Sequence, residues 1–83
     1  MYEVIIGKSA QKQLSKIPEP DFSRLERVIL DLAYNPRPHG SKKLKGRIGY
    51  RLRQGNYRVI YDIQDHILTV HVLDAGHRKD IYE

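Results

Sequence analysis

The chain contains no cysteine, which excludes disulfides, thiol nucleophiles and thiolate metal sites. It has no apolar run near the roughly 20 residues that a membrane-crossing helix needs. The opening stretch Met1-Tyr2-Glu3-Val4-Ile5-Ile6 is too short and wrongly flanked for a secretory signal. A cytoplasmic protein without membrane association is therefore expected. No linker, internal repeat or low-complexity segment interrupts the chain, so residues 1–83 are read as a single domain. Acidic side chains are missing from one long stretch: there is none between Leu32 and Tyr61.

What the chain does have is basic charge in that same stretch. Arg37, Lys42, Lys43, Lys45, Arg47, Arg51, Arg53 and Arg58 supply eight of the fifteen Lys and Arg residues, against a net charge of +5. A field of one sign favours nucleic acid or an acidic protein as partner. A basic, inert, solvated surface is the alternative that charge alone leaves open. With 83 residues, 40% of them hydrophobic, the chain can bury one modest core.

The apolar run Val4-Ile5-Ile6 predicts a first strand over Tyr2 to Ile6. Ser9 is a candidate N-cap for a helix reaching about Lys16, with Ala10, Leu14 and Ile17 at helical spacing. Pro18 and Pro20 end it. A second helix is predicted from Asp21 to Tyr34, with Phe22, Leu25, Ile29, Leu32 and Ala33 as its apolar stripe. Asn35-Pro36 stops it, and Arg37 to Lys43 reads as a loop. Three strands follow: Lys45 to Gln54, Tyr57 to Ile63 and Ile67 to Asp74. The last residues, Ala75 to Glu83, read as a turn with one helical turn.

The hairpin registers make these strands informative. A two-residue turn at Gly55-Asn56 pairs Gln54 with Tyr57 and Arg53 with Arg58. A second turn at Asp65-His66 pairs Ile63 with Leu68 and Ile60 with His71. Leu52, Val59, Tyr61, Ile63, Leu68, Val70 and Val72 then share one face, which the helices should cover. Tyr50, Tyr57 and Tyr61 belong to that side. Arg51, Arg53, Arg58, Ile60, Asp62, Thr69 and His71 take the other. The expected fold is α+β, in the order β-α-α-β-β-β. Two N-terminal helices pack on one face of a mostly antiparallel sheet, and the opposite face is open and basic. Like charges opposite one another on a sheet are destabilising. Stacked guanidiniums therefore point to an anion, with a phosphodiester as the natural candidate.

Several pieces of the sequence, in order, resemble the RelE/ParE superfamily of toxins, and most closely its RelE branch. They are the opening strand, the helical pair ending in Asn35-Pro36, Leu44-Lys45-Gly46, Tyr50-Arg51-Leu52-Arg53, Gly55-Asn56-Tyr57-Arg58-Val59-Ile60-Tyr61, and Gly76-His77-Arg78 with Ile81-Tyr82. The resemblance implies the toxin of a type II toxin–antitoxin system, an endoribonuclease that cleaves messenger RNA in the ribosomal A site without a metal or other cofactor. It also implies an acidic, RelB-like antitoxin as partner. The free toxin is expected to be a monomer. The family's functional positions fall on Arg51 and Arg53, on Arg58, on Arg78 and on Tyr82. The best-known RelE pattern has lysines where this chain has Arg51 and Arg53. Arginine is effectively always charged, so a lysine general-base role does not carry over.

For that chemistry the RNA supplies its own nucleophile, the 2′-hydroxyl. Arg58 and Arg78 are expected nearest the scissile phosphate, with Arg53 beside them. Arg51, Arg53, Lys45 and Arg47 are candidate contacts to RNA phosphates. Tyr82 could stack on a base or pin the C-terminus. His77 could exchange protons or hold a turn through its backbone contacts. The four histidines are scattered, with no carboxylate joining two of them at metal-ligand spacing. Two other functions stay open on the same scaffold: a ParE-like inhibitor of DNA gyrase, and a non-catalytic RNA-binding member.

Overall fold

The computed structural model describes residues 1–77. Strand β1 (Glu3–Ile6) is followed by helix α1 (Lys8–Leu14) and helix α2 (Asp21–Asp31). Then come β2 (Lys42–Lys43), β3 (Tyr50–Gln54), β4 (Tyr57–Gln64) and β5 (Thr69–His77). The strands form one five-stranded sheet in the order β1-β5-β4-β3-β2. Among the described strands only the β1–β5 pair is parallel. The α+β class and the two-helix layer on a mostly antiparallel sheet agree with the sequence reading.

The core lies between the helices and one sheet face. Ala10 and Leu14 of α1 and Leu25, Ile29 and Leu32 on the α2 stripe meet Leu52, Val59, Tyr61, Val70, Val72 and Ala75. Fully burying a side chain such as Leu25 or Ile29 contributes about 1.5–3 kcal/mol relative to exposure. The Tyr61 ring is fully buried, and its hydroxyl donates to the Pro36 carbonyl at 2.9 Å. That bond holds the loop leaving α2 against the sheet.

The boundaries differ from expectation for identifiable reasons. Helix α1 begins after Gly7, because the Ser9 hydroxyl lies 3.3 Å from Asp74 Oδ1 and does not cap the helix. Helix α2 ends at Asp31, and Leu32, Ala33 and Tyr34 follow in i→i−3 turns. The segment read as loop contains β2, whose Lys42 and Lys43 pair with Arg51 and Tyr50. Residues 45–49, read as strand, form the β2–β3 loop instead. Gly46 and Gly49 there adopt φ of 73° and 127°, a region open to glycine and closed to most side chains.

The β4–β5 register is also displaced by two residues. Asp65–Ile67 forms a short 3₁₀ turn, and Leu68 follows in the left-handed region at φ 49°. This longer connection pairs Ile63 with Val70 and Asp62 with His71, where the sequence reading paired Ile63 with Leu68 and Ile60 with His71. A shift of two preserves the faces, so Tyr61, Val70 and Val72 stay in the core. Leu68, expected there, is half exposed. A bulge then leaves Leu73 unmatched, with Tyr61 opposite Val72 but Ile60 opposite Asp74. Beyond it β5 continues through the expected turn at Ala75-Gly76-His77.

At the far end of the sheet a polar cluster joins four segments. Arg37 donates through Nη1 and Nη2 to Asp65 at 3.2 and 2.9 Å, and through Nε to the Tyr50 hydroxyl at 3.2 Å. Tyr2 donates to Asp65 Oδ1 at 2.6 Å. The Arg37 guanidinium also lies over the Tyr50 ring, which stacks on Tyr61. Hydrogen bonds from Arg37 and then Tyr2 hold the Asp65 carboxyl down at about 2. The Tyr2 hydroxyl is pushed up, chiefly by its bond to Asp65. Arg37 is thus committed to an ion pair and adds little to the basic face.

Candidate nucleic-acid interface

The β3–β4 hairpin builds the site. Gly55 takes φ 59° while Asn56 stays outside the positive-φ region, the pattern of a type II′ turn. Gln54 pairs with Tyr57 and Arg53 with Arg58. With Gln54–Tyr57 closing the turn, Arg53–Arg58 is a non-hydrogen-bonded pair. Pairs of that kind have Cα atoms about 4.5 Å apart, the closer of the two antiparallel spacings. Both side chains leave the sheet on the face away from the helices. Arg53 is exposed and Arg58 half-buried.

The bulge in β5 decides what stands beside them. It brings Gly76 opposite Arg58 and His77 opposite Tyr57. Gly76 itself puts no side chain against the flank of Arg58. The His77 ring meets the Tyr57 ring edge-on at 5.6 Å, on the helix side of the sheet. The structure therefore separates His77 from the Arg53–Arg58 pair, where the sequence reading put it near the site. Simple alternation could not show this, because one inserted residue reverses every side chain after it.

Arg51 shares the face with Arg53 but is only 7% exposed. It lies between Lys42 on β2 and Ile60 on β4, and Ile60 is fully buried. The face expected to be open is thus closed over Ile60. Arg51 still borders a cleft with Lys42, Lys43 and Lys45, four cations around a volume of about 370 Å³. Arg47 is exposed on the same β2–β3 loop. Arg78 and Tyr82, both expected at the site, lie outside the described residues.

The arrangement can bind phosphate. Guanidiniums offer planar donor pairs that match phosphate oxygens and remain charged. Among the described residues no group of three His, Asp or Glu side chains is placed to hold a metal ion. No helix among them is long and apolar enough to cross a membrane. The contribution of Gly76 was missed from sequence. Its signal was the glycine itself, which only the β5 register could place next to Arg58.

Comparison with known proteins gives a consistent result. The profile of the family described as the ParE toxin of the type II toxin–antitoxin system parDE matches residues 4–82. The toxin RelG of Mycobacterium tuberculosis is 32% identical over 83 residues, covering 98% of this chain and 95% of that protein. Among solved structures, a chain of the RelBE2 toxin–antitoxin complex of M. tuberculosis superposes with a TM-score of 0.82 at 29% identity. It covers 93% of this chain and 98% of the other. A chain of the archaeal RelE–RelB complex of Pyrococcus horikoshii gives 0.79 at 28% identity, covering 96% and 98%.

Proposed function

Because this chain belongs to the RelE/ParE superfamily of type II toxin–antitoxin toxins, we propose that it acts as a ribosome-dependent endoribonuclease on messenger RNA. The observation that carries this reading is the Arg53–Arg58 pair. Two cations are held opposite one another, with a glycine flanking Arg58. A fold that tolerates this repulsion gains from it when a phosphate sits between the two.

In the proposed reaction the 2′-oxygen attacks the adjacent phosphorus and the bond to the 5′-oxygen breaks. The 2′-hydroxyl proton leaves to a base, and the departing 5′-oxygen takes up a proton. The products are a 2′,3′-cyclic phosphate and a 5′-hydroxyl end. Arg58 and Arg53 stabilise the extra negative charge as the phosphorane forms. The family resemblance adds Arg78 to that role and Tyr82 to stacking on a base. Lys45, Arg47 and the Arg51 cleft contact neighbouring phosphates. Arginine does not serve as the base because it keeps its proton, and His77 stands on the other face. Proton removal therefore falls to Tyr82, to bound water or to a group of the ribosome.

The proposed partner is an acidic RelB-like antitoxin, by analogy with the RelBE2 and P. horikoshii complexes. The match to the ParE profile supports a second reading, inhibition of DNA gyrase by binding. Induced expression, followed by mapping of RNA 5′ ends with and without active translation, tests the choice. New 5′-hydroxyl ends within translated codons, absent when initiation is blocked, support the nuclease. Gyrase inhibition without RNA scission supports the alternative and overturns the nuclease.

A further inference from the structure

A cavity of about 270 Å³ opens at the edge of the sheet between α2, the loop after it and the end of β3. Its floor is apolar, formed in part by Val28, Leu32 and Leu52, and its rim carries Asp31, His39 and Gln54. Arg53 also lines it, and because its side chain leaves the sheet on the opposite face, this residue links the cavity to the proposed phosphate site across the sheet edge. A shallower cleft adjoins it through Val28 and Gln54 and is bordered by Arg24 and Arg27. The adjoining cleft thus sets Arg24 and Arg27 beside the cavity, whose apolar floor has hydrogen-bonding groups at its mouth.

The geometry points to a nucleobase subsite, which takes one base of the RNA strand whose phosphate lies on Arg53 and Arg58. This inference rests on the reading of that face as an RNA site and adds how the site would discriminate among bases. The volume is slightly below the roughly 300–1,000 Å³ of pockets for drug-sized ligands, and so suits a single planar ring. A docked amphipathic helix would instead need a row of anchors at i, i+3 or i+4 and i+7. Arg24 and Arg27 in the adjoining cleft, and Arg53 across the sheet edge, match a chain with a phosphate on either side of each base. The backbone supports such a path, because β2 pairs only with Tyr50 and Arg51. Among the described residues, the outer edge of β3 from Leu52 to Gln54 therefore has no strand beside it. A carboxylate such as that of Asp31 accepts hydrogen bonds and donates none. It favours bases with an exocyclic amine (adenine, cytosine, guanine) over uracil, whose N3–H donor is flanked by two carbonyl oxygens that repel a carboxylate.

The test is a titration of ¹⁵N-labelled protein with trinucleotides AAA, CCC, GGG and UUU, 2′-O-methylated to prevent cleavage, and with an abasic trimer. Saturable amide shifts are expected at Asp31, His39 and Gln54 with the amine-bearing trimers. UUU should bind at least about threefold more weakly, and Asp31→Asn should bring that preference close to unity. The abasic trimer should shift Arg53 and Arg58 but leave Asp31, His39 and Gln54 unchanged. The inference falls if all trimers perturb only Arg53 and Arg58, if the abasic trimer fills the cavity equally, or if UUU binds as well as the others. It also falls if a glutamate-rich helical peptide produces saturable cavity shifts and no trimer does, since the cavity is then a protein-docking surface. A silent cavity in a protein that cleaves ribosome-bound mRNA removes this inference alone. A filled cavity in a protein that cleaves nothing removes the nuclease reading and leaves the base subsite standing.

Discussion

Replacing Arg53 by glutamine should stabilise the fold while weakening its activity. Arg53 and Arg58 are direct cross-strand neighbours on one face, and cross-strand pair energies are about 0.2–1 kcal/mol, unfavourable for like charges. Arg53 is exposed, so solvent screening keeps the effect in the lower half of that range. The gain should be about 0.5 kcal/mol, which for a domain of this size raises Tm by about 2–4 °C. Glutamine keeps much of the side-chain length and hydrogen-bonding capacity, so packing changes little. Urea denaturation should show a higher midpoint with an unchanged m value. The gain should be clear at about 20 mM salt and nearly vanish at about 1 M, where the Debye length is about 3 Å. Arg53→Lys keeps the charge and should show no such gain, while retaining mRNA cleavage that Arg53→Gln loses. A destabilised Arg53→Gln, or a stabilisation equal at both salt concentrations, would refute the argument that the pair stores repulsion for an anion.

Other predictions follow from the core, the polar cluster and the bulge. Tyr61→Phe should cost about 1–2 kcal/mol in denaturant unfolding, because it leaves the Pro36 carbonyl without its buried donor; an unchanged midpoint would show that water replaces it. The depressed Asp65 carboxyl contributes stability that is present above its unfolded value of about 4 and is lost as pH falls through about 2. Wild type should therefore lose more stability than Asp65→Asn between about pH 4 and pH 2, with equal losses counting against the ion pair. Arg58→Ala should abolish cleavage of ribosome-bound mRNA in single-turnover assays while far-UV circular dichroism stays native; cleavage at the wild-type rate would remove Arg58 from the site. His77→Gln should leave the pH profile of cleavage unchanged, since His77 lies on the helix side with Tyr57. Loss of an inflection from that profile would place His77 back in the chemistry.

Much of this protein was legible in the sequence because short-range rules suffice for it. Alternation along Tyr50–Gln54 and Tyr57–Gln64 assigned core and basic faces, and the Gly55-Asn56 turn set their register. The spacing of Leu25, Ile29 and Leu32 marked the buried stripe of α2. These features depend on residues a few positions apart, so local geometry alone decides them. The tertiary structure decided what depends on distant partners. Asp65 draws Arg37 out of the basic stretch, a pairing across 28 positions with no local signature. Gly46 and Gly49 turn an apparent strand into a loop, which leaves the outer edge of β3 beyond Arg51 without a strand among the described residues. The 3₁₀ turn and the unmatched Leu73 set the β5 register, giving Arg58 a glycine neighbour and sending His77 to the opposite face. Periodicity cannot locate a bulge in advance, because the inserted residue is chosen by how the strand packs against helices and sheet together. The sequence by itself therefore determined the fold and the charge of one face, whereas long-range packing determined which of those charges meet.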